Sequence, residues 1–402
     1  MKATVKQESA VSAGRPPGFA DLLPADAERR RGLEQVMLAG FGSWGYRLIE
    51  TPAIELLATV EAGMQPEAAR RLFKLADADG RMLAMVGERT VPVARAVAGQ
   101  MRQAALPLRL CYLGPTFEGH PAPGRSRQGF QAGAELVGAE GPVADAEVVA
   151  VAVETLAACG VTDFQVEVGH VGFFGGIMDG LGEAQRALVL DALAGRDLVE
   201  LEAALAQTDL EAAEQELLLR FPALRGGPEI LEAAGRMVDN PTSAAALAEL
   251  AEVHRLLEAQ GAGARVNLDL GAVRDFDYYT GVIFEVFAPG LGTPLAAGGR
   301  YDGLLGRFGY PQPATGVVVF LDRVQALTKS ERAGESSTVV LVGHRGDPAP
   351  AVRAAAELRR SGVVTMIEAE PADEAGMRRR ARQQGASRAL LCDGDSQVEV
   401  RP

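Results

Sequence analysis

Nine residues, Val273–Gly281 (VRDFDYYTG), constrain this chain more than any other stretch. They gather a cation, two acids and two phenols between two runs that alternate in polarity. Upstream, Val266, Leu268 and Leu270 are apolar while Asn267 and Asp269 are polar. Downstream, Val282, Phe284 and Val286 take one face, and Ile283, Glu285 and Phe287 the other. A period of two, rich in Val, Ile and Phe, predicts strands. Charges and phenols at the join of two strands share a mouth where polar side chains can converge on a ligand. Taken alone, such a stretch is more often a tyrosine-bearing hairpin packed on a helix, so the other segments decide.

The 402 residues, 48% of them hydrophobic, are enough for two or three compact units with a sizeable core. The chain has no apolar run of about 18 residues, and its start is polar without an apolar h-region, so neither a membrane span nor an N-terminal export signal is expected. Cys111, Cys159 and Cys392 are far apart and odd in number, which fits a reducing compartment and no disulfide framework. Four scattered histidines and no C-x-x-C pair give no basis for a metal site. The formal charge of −13 argues against a tRNA or DNA binder, because such affinity comes largely from cations that neutralise phosphates.

Residues 1–14 read as disordered. Pro24 opens a helical pattern carrying Leu33, Val36, Met37 and Phe41, and YRLIETPAIE is a short strand stopped by Thr51-Pro52. RLFKLADADGRMLAMVGE reads as a hairpin with Asp79-Gly80 in the turn, delivering Glu88 and Thr90 to a strand end before a helix. Strands follow at Leu108–Leu113 and Phe130–Val137, separated by a Pro/Gly-rich loop. Gln131 and Glu135 are four apart in the second strand, hence on one face. About 175–263 the chain turns to Ala, Leu and Glu, a helical insertion in which Thr208-x-x-Glu211 matches a capping box and Leu247, Leu250, Val253 and Leu257 form one stripe. His254 on that last helix reads as a packed or surface residue rather than a ligand. A core over 15–328 is thus expected, then a polar linker at 329–337 and a small α/β domain at 338–402 built strand–helix–strand–helix–strand. The RRRAR run of that domain sits in a nearly charge-balanced segment and reads as a solvated helix face.

The ordered series GFADLLPADA, YRLIETPAIE, YLGPTFEGHPAPGRSRQGFQAGAELVG, RDFDYYTGVIFE, AAGGRYDGL and ATGVVVFLDR resembles the catalytic core of histidyl-tRNA synthetase over roughly Arg15–Leu327. The resemblance implies an α+β fold of the class II synthetase type: an antiparallel sheet with flanking helices, dimerising through the segment around Thr51-Pro52-Ala53. It implies a histidine pocket. Glu88, Thr90 and Gln131 would surround the α-ammonium, Glu135 and Tyr279 the imidazole, Arg274 the carboxylate, with Tyr278 and Tyr301 lining the pocket. The chemistry is consistent: a carboxylate suits an ammonium, an arginine a carboxylate, and a phenol plus an acid can satisfy both imidazole nitrogens.

The ATP side departs from the pattern. Where the synthetase places an arginine on the ATP α-phosphate, Gly114-Pro115-Thr116-Phe117 is followed here by Glu118. A unit-charge pair at contact is worth on the order of 4 kcal/mol at an effective dielectric of 20, so exchanging attraction for repulsion disfavours adenylation strongly. The loop Gly119–Gly124 carries Pro121 and Pro123 with no Lys or Arg, and Asp275 stands where a glycine usually follows the arginine. Arg323, in the third motif, has an ATP role in the synthetase and a possible second life as a structural ion pair. A histidine pocket without adenylation resembles the ATP phosphoribosyltransferase regulatory subunits. That family implies a cytoplasmic homodimer within a hetero-oligomer, partnering the short-form catalytic subunit. Histidine would be the feedback effector, with no cofactor and no catalytic residue. The C-terminal module, similar to a shortened anticodon-binding domain, favours the alternative of an active histidine–tRNA ligase. A histidine-sensing module serving another enzyme is a third reading.

Overall fold

The computed structural model describes residues 14–121, 125–195, 197–220, 224–271, 278–328, 339–394 and 396–402. The expected disordered start and the expected linker fall, apart from Gly14, outside the described residues. The chain divides into two compact units, Met1–Lys329 and Ser330–Pro402.

The first unit contains the strands β1 (Arg47–Leu48), β2 (Ile54–Leu56), β3 (Lys74–Ala76), β4 (Met82–Met85), β5 (Leu108–Phe117), β6 (Gln128–Val137), β7 (Gln165–His170), β8 (Arg225–Gly226), β9 (Val266–Asp269), β10 (Val282–Phe287), β11 (Ala296–Arg300) and β12 (Ala314–Phe320). A nine-stranded sheet runs β1-β5-β6-β12-β11-β10-β7-β9-β8, and β2-β4-β3 form a small second sheet. Within the large sheet β1–β5 and β7–β9 are parallel, and the other described pairings are antiparallel. This is the helix-flanked antiparallel sheet that the resemblance implied.

Helix α1 (Pro24–Ser43) starts with proline in its first turn and buries Leu33, Met37 and Phe41 on one stripe. After α2 (Leu57–Gly63), α3 (Pro66–Arg70) and α4 (Thr90–Gln100) comes α5 (Pro142–Ala158), which is apolar almost all round. Helix α5 covers one face of the sheet, where Ala132, Ala134 and Leu136 of β6 lie beside Val317 and Val319 of β12. Each Val or Leu side chain buried there contributes about 1.5–3 kcal/mol. The alternate residues of the same strands face the other way. They form the floor of the site described below.

The sequence expectations differ from the structure in four places. Strands β9 and β10, flanking Val273–Gly281, do not form a hairpin, because β7 lies between them, parallel to β9 and antiparallel to β10. Strand β5 runs on through Gly114 and Pro115 to Phe117, and β6 begins at Gln128, so the loop is shorter than composition indicates. Pro115 is tolerated because its missing N–H lies on the outer edge of β5, past the end of β1. In the insertion, after α6 (Val171–Ile177), α7 (Glu183–Gly195) and α8 (Leu198–Leu205), the hydroxyl of Thr208 closes α8 by donating to Leu205 O at 2.7 Å. The capping box of α9 (Ala212–Leu219) is instead Glu211 with Glu214. Helices α10 (Glu229–Gly235) and α11 (Pro241–Ala259) complete the insertion, and His254 of α11 is packed inside it. Helix α12 (Leu321–Leu327) follows β12.

The second unit contains β13 (Val339–His344), α13 (Ala349–Arg360), β14 (Val364–Ile367), α14 (Glu374–Gln383), β15 (Arg388–Asp393) and a further strand, β16 (Ser396–Val400). The sheet order is β14-β13-β15-β16, with β16 antiparallel to β15. Strand β16 escaped the sequence reading because only Val400 of it is buried, leaving no apolar alternation. In α14, Met377 and Ala381 face the core while Arg378, Arg379 and Arg382 are solvated. Among the described residues no helix is long and apolar enough to cross a membrane.

Gly133 pairs with Tyr112 across β5 and β6. A Cβ there would run into the Tyr112 ring and lie 2.7 Å from Val317 O. Gly133→Ala should therefore lower stability by roughly 1–3 kcal/mol, as overpacking does, seen as a lower urea midpoint at unchanged m-value.

Candidate functional site

The face of the sheet away from α5 sets three glycines and an alanine among larger side chains. Across the strands one row runs Leu110, Glu135, Gly316, Gly299 and Ile283; the next runs Tyr112, Gly133, Val318, Ala297 and Glu285. Glycine at 316 is a requirement, since a Cβ would overlap the Glu135 carboxylate and sit 2.9 Å from Ala134 O. The missing side chains leave a cavity of about 510 Å³ above this floor. Glu88, Thr90, Gln131, Tyr278 and Tyr279 line it.

The edge of the cavity is the junction between β4 and α4. Glu88 accepts hydrogen bonds from Thr90 N at 2.8 Å and Val91 N at 2.9 Å, which satisfies two of the donors left open at the start of α4. Burial pushes its carboxyl up from the ordinary range, and those two N–H groups pull back. Arg89, between Glu88 and Thr90, turns the other way. Its guanidinium lies over Gly114 and donates to Pro115 O at 2.9 Å, pinning the start of α4 to β5.

Within the floor, Glu135 is 1% exposed and accepts a hydrogen bond from the Tyr301 hydroxyl at Oε2. Burial raises its carboxyl to about 8, against the hydrogen bonds from Tyr301, Thr90 and Tyr112 and with the nearby Glu88 charge adding to the rise. Thr90 and Tyr112 approach closely enough to act on its titration, yet Glu135 Oε1 and Tyr112 Oη complete no hydrogen bond of normal geometry. Gln131 Oε1 is likewise buried and unpartnered. The rings of Tyr278 and Tyr279 meet edge to face at 5.0 Å, and Tyr278 lies 5.5 Å from Tyr301. Burial raises the phenols of Tyr112, Tyr278 and Tyr301 well above their usual range.

The structure thus brings seven of the sequence-derived site residues together, five on the cavity wall and Glu135 with Tyr301 beneath it. Arg274 lies outside the described residues. The sequence reading missed Tyr112. Its signal was available in the register, since a glycine in an apolar strand marks where a cross-strand ring must fit.

A second cavity of about 700 Å³ shares Gln131, Phe320, Arg125 and Arg323 with the first. Glu118 lines it and lies 3.6 Å from Arg71. The expectation of a cation-poor loop is modified here, because Arg30, Arg125, Arg127 and Arg323 all reach its wall. Three of these are engaged internally. Arg30 pairs with Asp322 at 2.7 Å, and Arg127 donates to Gly119 O at 2.7 Å while covering the Phe73 ring. Arg323 stacks 3.7 Å over Phe320 and donates to Pro294 O. Burial and the like charge of Arg125 lower the Arg323 guanidinium to about 10. Among the described residues no three His, Cys, Asp or Glu side chains are grouped so as to hold a metal ion.

With this geometry in hand, residues 18–324 match the family model described as Histidyl-tRNA synthetase. An ATP phosphoribosyltransferase regulatory subunit of Moorella thermoacetica is 41% identical over 377 residues, covering 93% of this chain and 95% of that one. The solved structure of an ATP phosphoribosyltransferase regulatory subunit/histidyl-tRNA synthetase from Bacillus halodurans superposes with a TM-score of 0.84 at 30% identity, over 96% of this chain and 100% of the other. A histidyl-tRNA synthetase of a Nostoc species shares the fold at a TM-score of 0.77 and 22% identity, with 97% of each chain covered.

The buried carboxyl carries a stability signature. Raised from 4.5 to about 8 on folding, Glu135 holds a proton that the unfolded chain releases between those values. Its contribution is therefore best below pH 4.5 and declines as pH rises toward 8. Glu135→Gln removes this dependence and should stabilise the fold at pH 7.5 by about 1–3 kcal/mol. The gain should shrink at pH 5.5, as compared by urea unfolding at the two pH values.

Proposed function

The chain belongs to the family of ATP phosphoribosyltransferase regulatory subunits, built on the histidyl-tRNA synthetase fold, and from that premise we propose that it is a non-catalytic, histidine-binding subunit. It would bind free histidine in the 510 Å³ cavity and pass occupancy to a short-form catalytic subunit of ATP phosphoribosyltransferase, as a homodimer within a hetero-oligomer in the cytoplasm. The names of the relatives support the regulatory role and the existence of a catalytic partner. Feedback by histidine is the finer reading, and the preserved polar cluster supports it.

The observation that carries the proposal is Glu118 on the wall of the neighbouring cavity, paired with Arg71. An acid where triphosphate chemistry needs a base leaves binding without adenylation. Glu88 and Thr90 would receive the α-ammonium. Each Glu88 oxygen accepts one backbone N–H and the Thr90 hydroxyl takes a further lone pair, which leaves one for a ligand. Glu135 and Tyr279 would face the imidazole. Feedback then requires histidine to bind two states of the assembly with different affinity.

One observation favours a second reading, an active histidine–tRNA ligase: Arg125 and Arg323 stand together on the 700 Å³ cavity. That reading requires histidine-dependent ATP–pyrophosphate exchange. We expect a flat exchange assay at saturating histidine.

Calorimetry with L-histidine should show weaker binding for both Glu88→Ala and Tyr279→Phe. The Glu88 variant should lose more, about 1.5–3 kcal/mol for a charged partner against about 0.5–1.5 for a neutral hydrogen bond. Unchanged affinity in both would move histidine to another site. Co-expression with a short-form catalytic subunit should give a complex whose activity responds to histidine; separate elution and an unaltered catalytic rate would refute the regulatory assignment.

A further inference from the structure

Glu135 is a carboxyl in the wrong surroundings for a charge. It is 1% exposed, one oxygen accepts from Tyr301, and the other completes no hydrogen bond. A buried carboxylate with an orphaned oxygen is costly, whereas a neutral carboxyl is not. Among the described residues, the groups that act on it are Tyr112 of β5, Tyr301 after β11, Thr90 and Glu88 at the start of α4, and Tyr278 and Tyr46 farther out. These are hydroxyls and one further acid. Among the described residues no Lys or Arg forms an ion pair with Glu135. Glu88, Thr90 and Tyr278 of this set also line the cavity, and the Thr90 hydroxyl acts on both Glu88 and Glu135.

We infer that Glu135 is the proton carrier of this cavity: in the empty protein its carboxyl is neutral, and an entering imidazole is protonated at that carboxyl's expense. This rests on the reading of the cavity as a histidine site. The O–H bond at Glu135 Oε1, the oxygen without a partner in the empty site, breaks, and a new N–H bond forms on the imidazole nitrogen that meets it. The carboxylate left behind keeps the Tyr301 hydrogen bond at Oε2 and acquires an imidazolium as its counter-charge. The ligand is thereby captured as neutral histidine, the form that prevails at pH 7.5 for an imidazole titrating near 6.5. Little proton is then drawn from solvent at pH 7.5. The site would then weaken with rising pH only when the carrier itself empties.

The test is calorimetric titration of L-histidine into the full chain at pH 7.5, in two buffers of different ionisation enthalpy. A carrier titrating near 8 gives an uptake of about a quarter of a proton or less. An ordinary, already ionised carboxylate that pairs with imidazolium gives an uptake of about 0.9 proton, and that result overturns the inference while leaving the histidine site standing. Between pH 7.5 and 9 the carrier predicts a loss of affinity of roughly eightfold. Glu135→Gln should abolish this loss apart from the part due to the ligand's own amino group. In Tyr301→Phe, which lacks the hydrogen bond that favours the ionised form, the loss should move to higher pH. A wild-type affinity as flat as that of the Gln variant up to pH 9 also overturns it. Absence of histidine binding at every pH removes the reading of the cavity itself, and the inference with it.

Discussion

The first unit is built around the burial of one carboxyl group. Glu135 lies mid-strand in β6 with apolar neighbours on both sides, and alternation sends it to the face opposite α5. The position is tolerable only because Gly316 leaves room beside it and Gly133 leaves room for the Tyr112 ring. Without those gaps the face would close into an ordinary sheet surface. With them, phenols from β5 and from the turn after β11 gather around the carboxyl on that face, and the cavity opens beside them. The energetic burden on Glu135 is carried by α5 and the β-sheet core, whose buried Val and Ala side chains supply the hydrophobic surplus.

The two cavities share a wall, and that wall decides what a bound molecule can experience. Gln131 and Arg323 touch both. On one side stand hydroxyls and carboxyls, suited to an amino acid; on the other, arginines already occupied by Asp322, Gly119 O and Phe320 stand with Glu118. Arginines satisfied internally hold the wall together and have less to offer a phosphate. A protein that reports occupancy needs recognition without reaction, and this division of charge is suited to that task. Arg89 adds a mechanical element. By bonding Pro115 O and reaching Thr51 O at 3.4 Å it ties the Glu88–Thr90 edge to the segment ahead of β2.

Much of this was legible before any coordinates. Period-two runs located β9 and β10, the Asp79-Gly80 turn located the β3–β4 hairpin, and the apolar stripes located α1 and α11. The motif series gave the α+β class II architecture, which the sheet and the solved relatives bear out. Where reading by local pattern failed, a different partner from the expected one had won. Strand β7 inserted itself between β9 and β10, Thr208 satisfied the end of α8 instead of the start of α9, and β16 formed with only Val400 buried.

The sequence by itself determined which chemical groups the chain owns and, through spacing, which side of its strand each one takes. Gln131 and Glu135 share a face because side chains alternate, and Glu118 is an acid whatever the fold. Only the tertiary structure decided how those groups behave. Whether Glu135 is a surface carboxylate or a buried acid titrating near 8 depends on Tyr112, Thr90 and Tyr301, which lie between 23 and 166 positions away in the chain. Local pattern cannot see such distances, because solvation is set by everything that fills the space around a group and not by its neighbours in the chain.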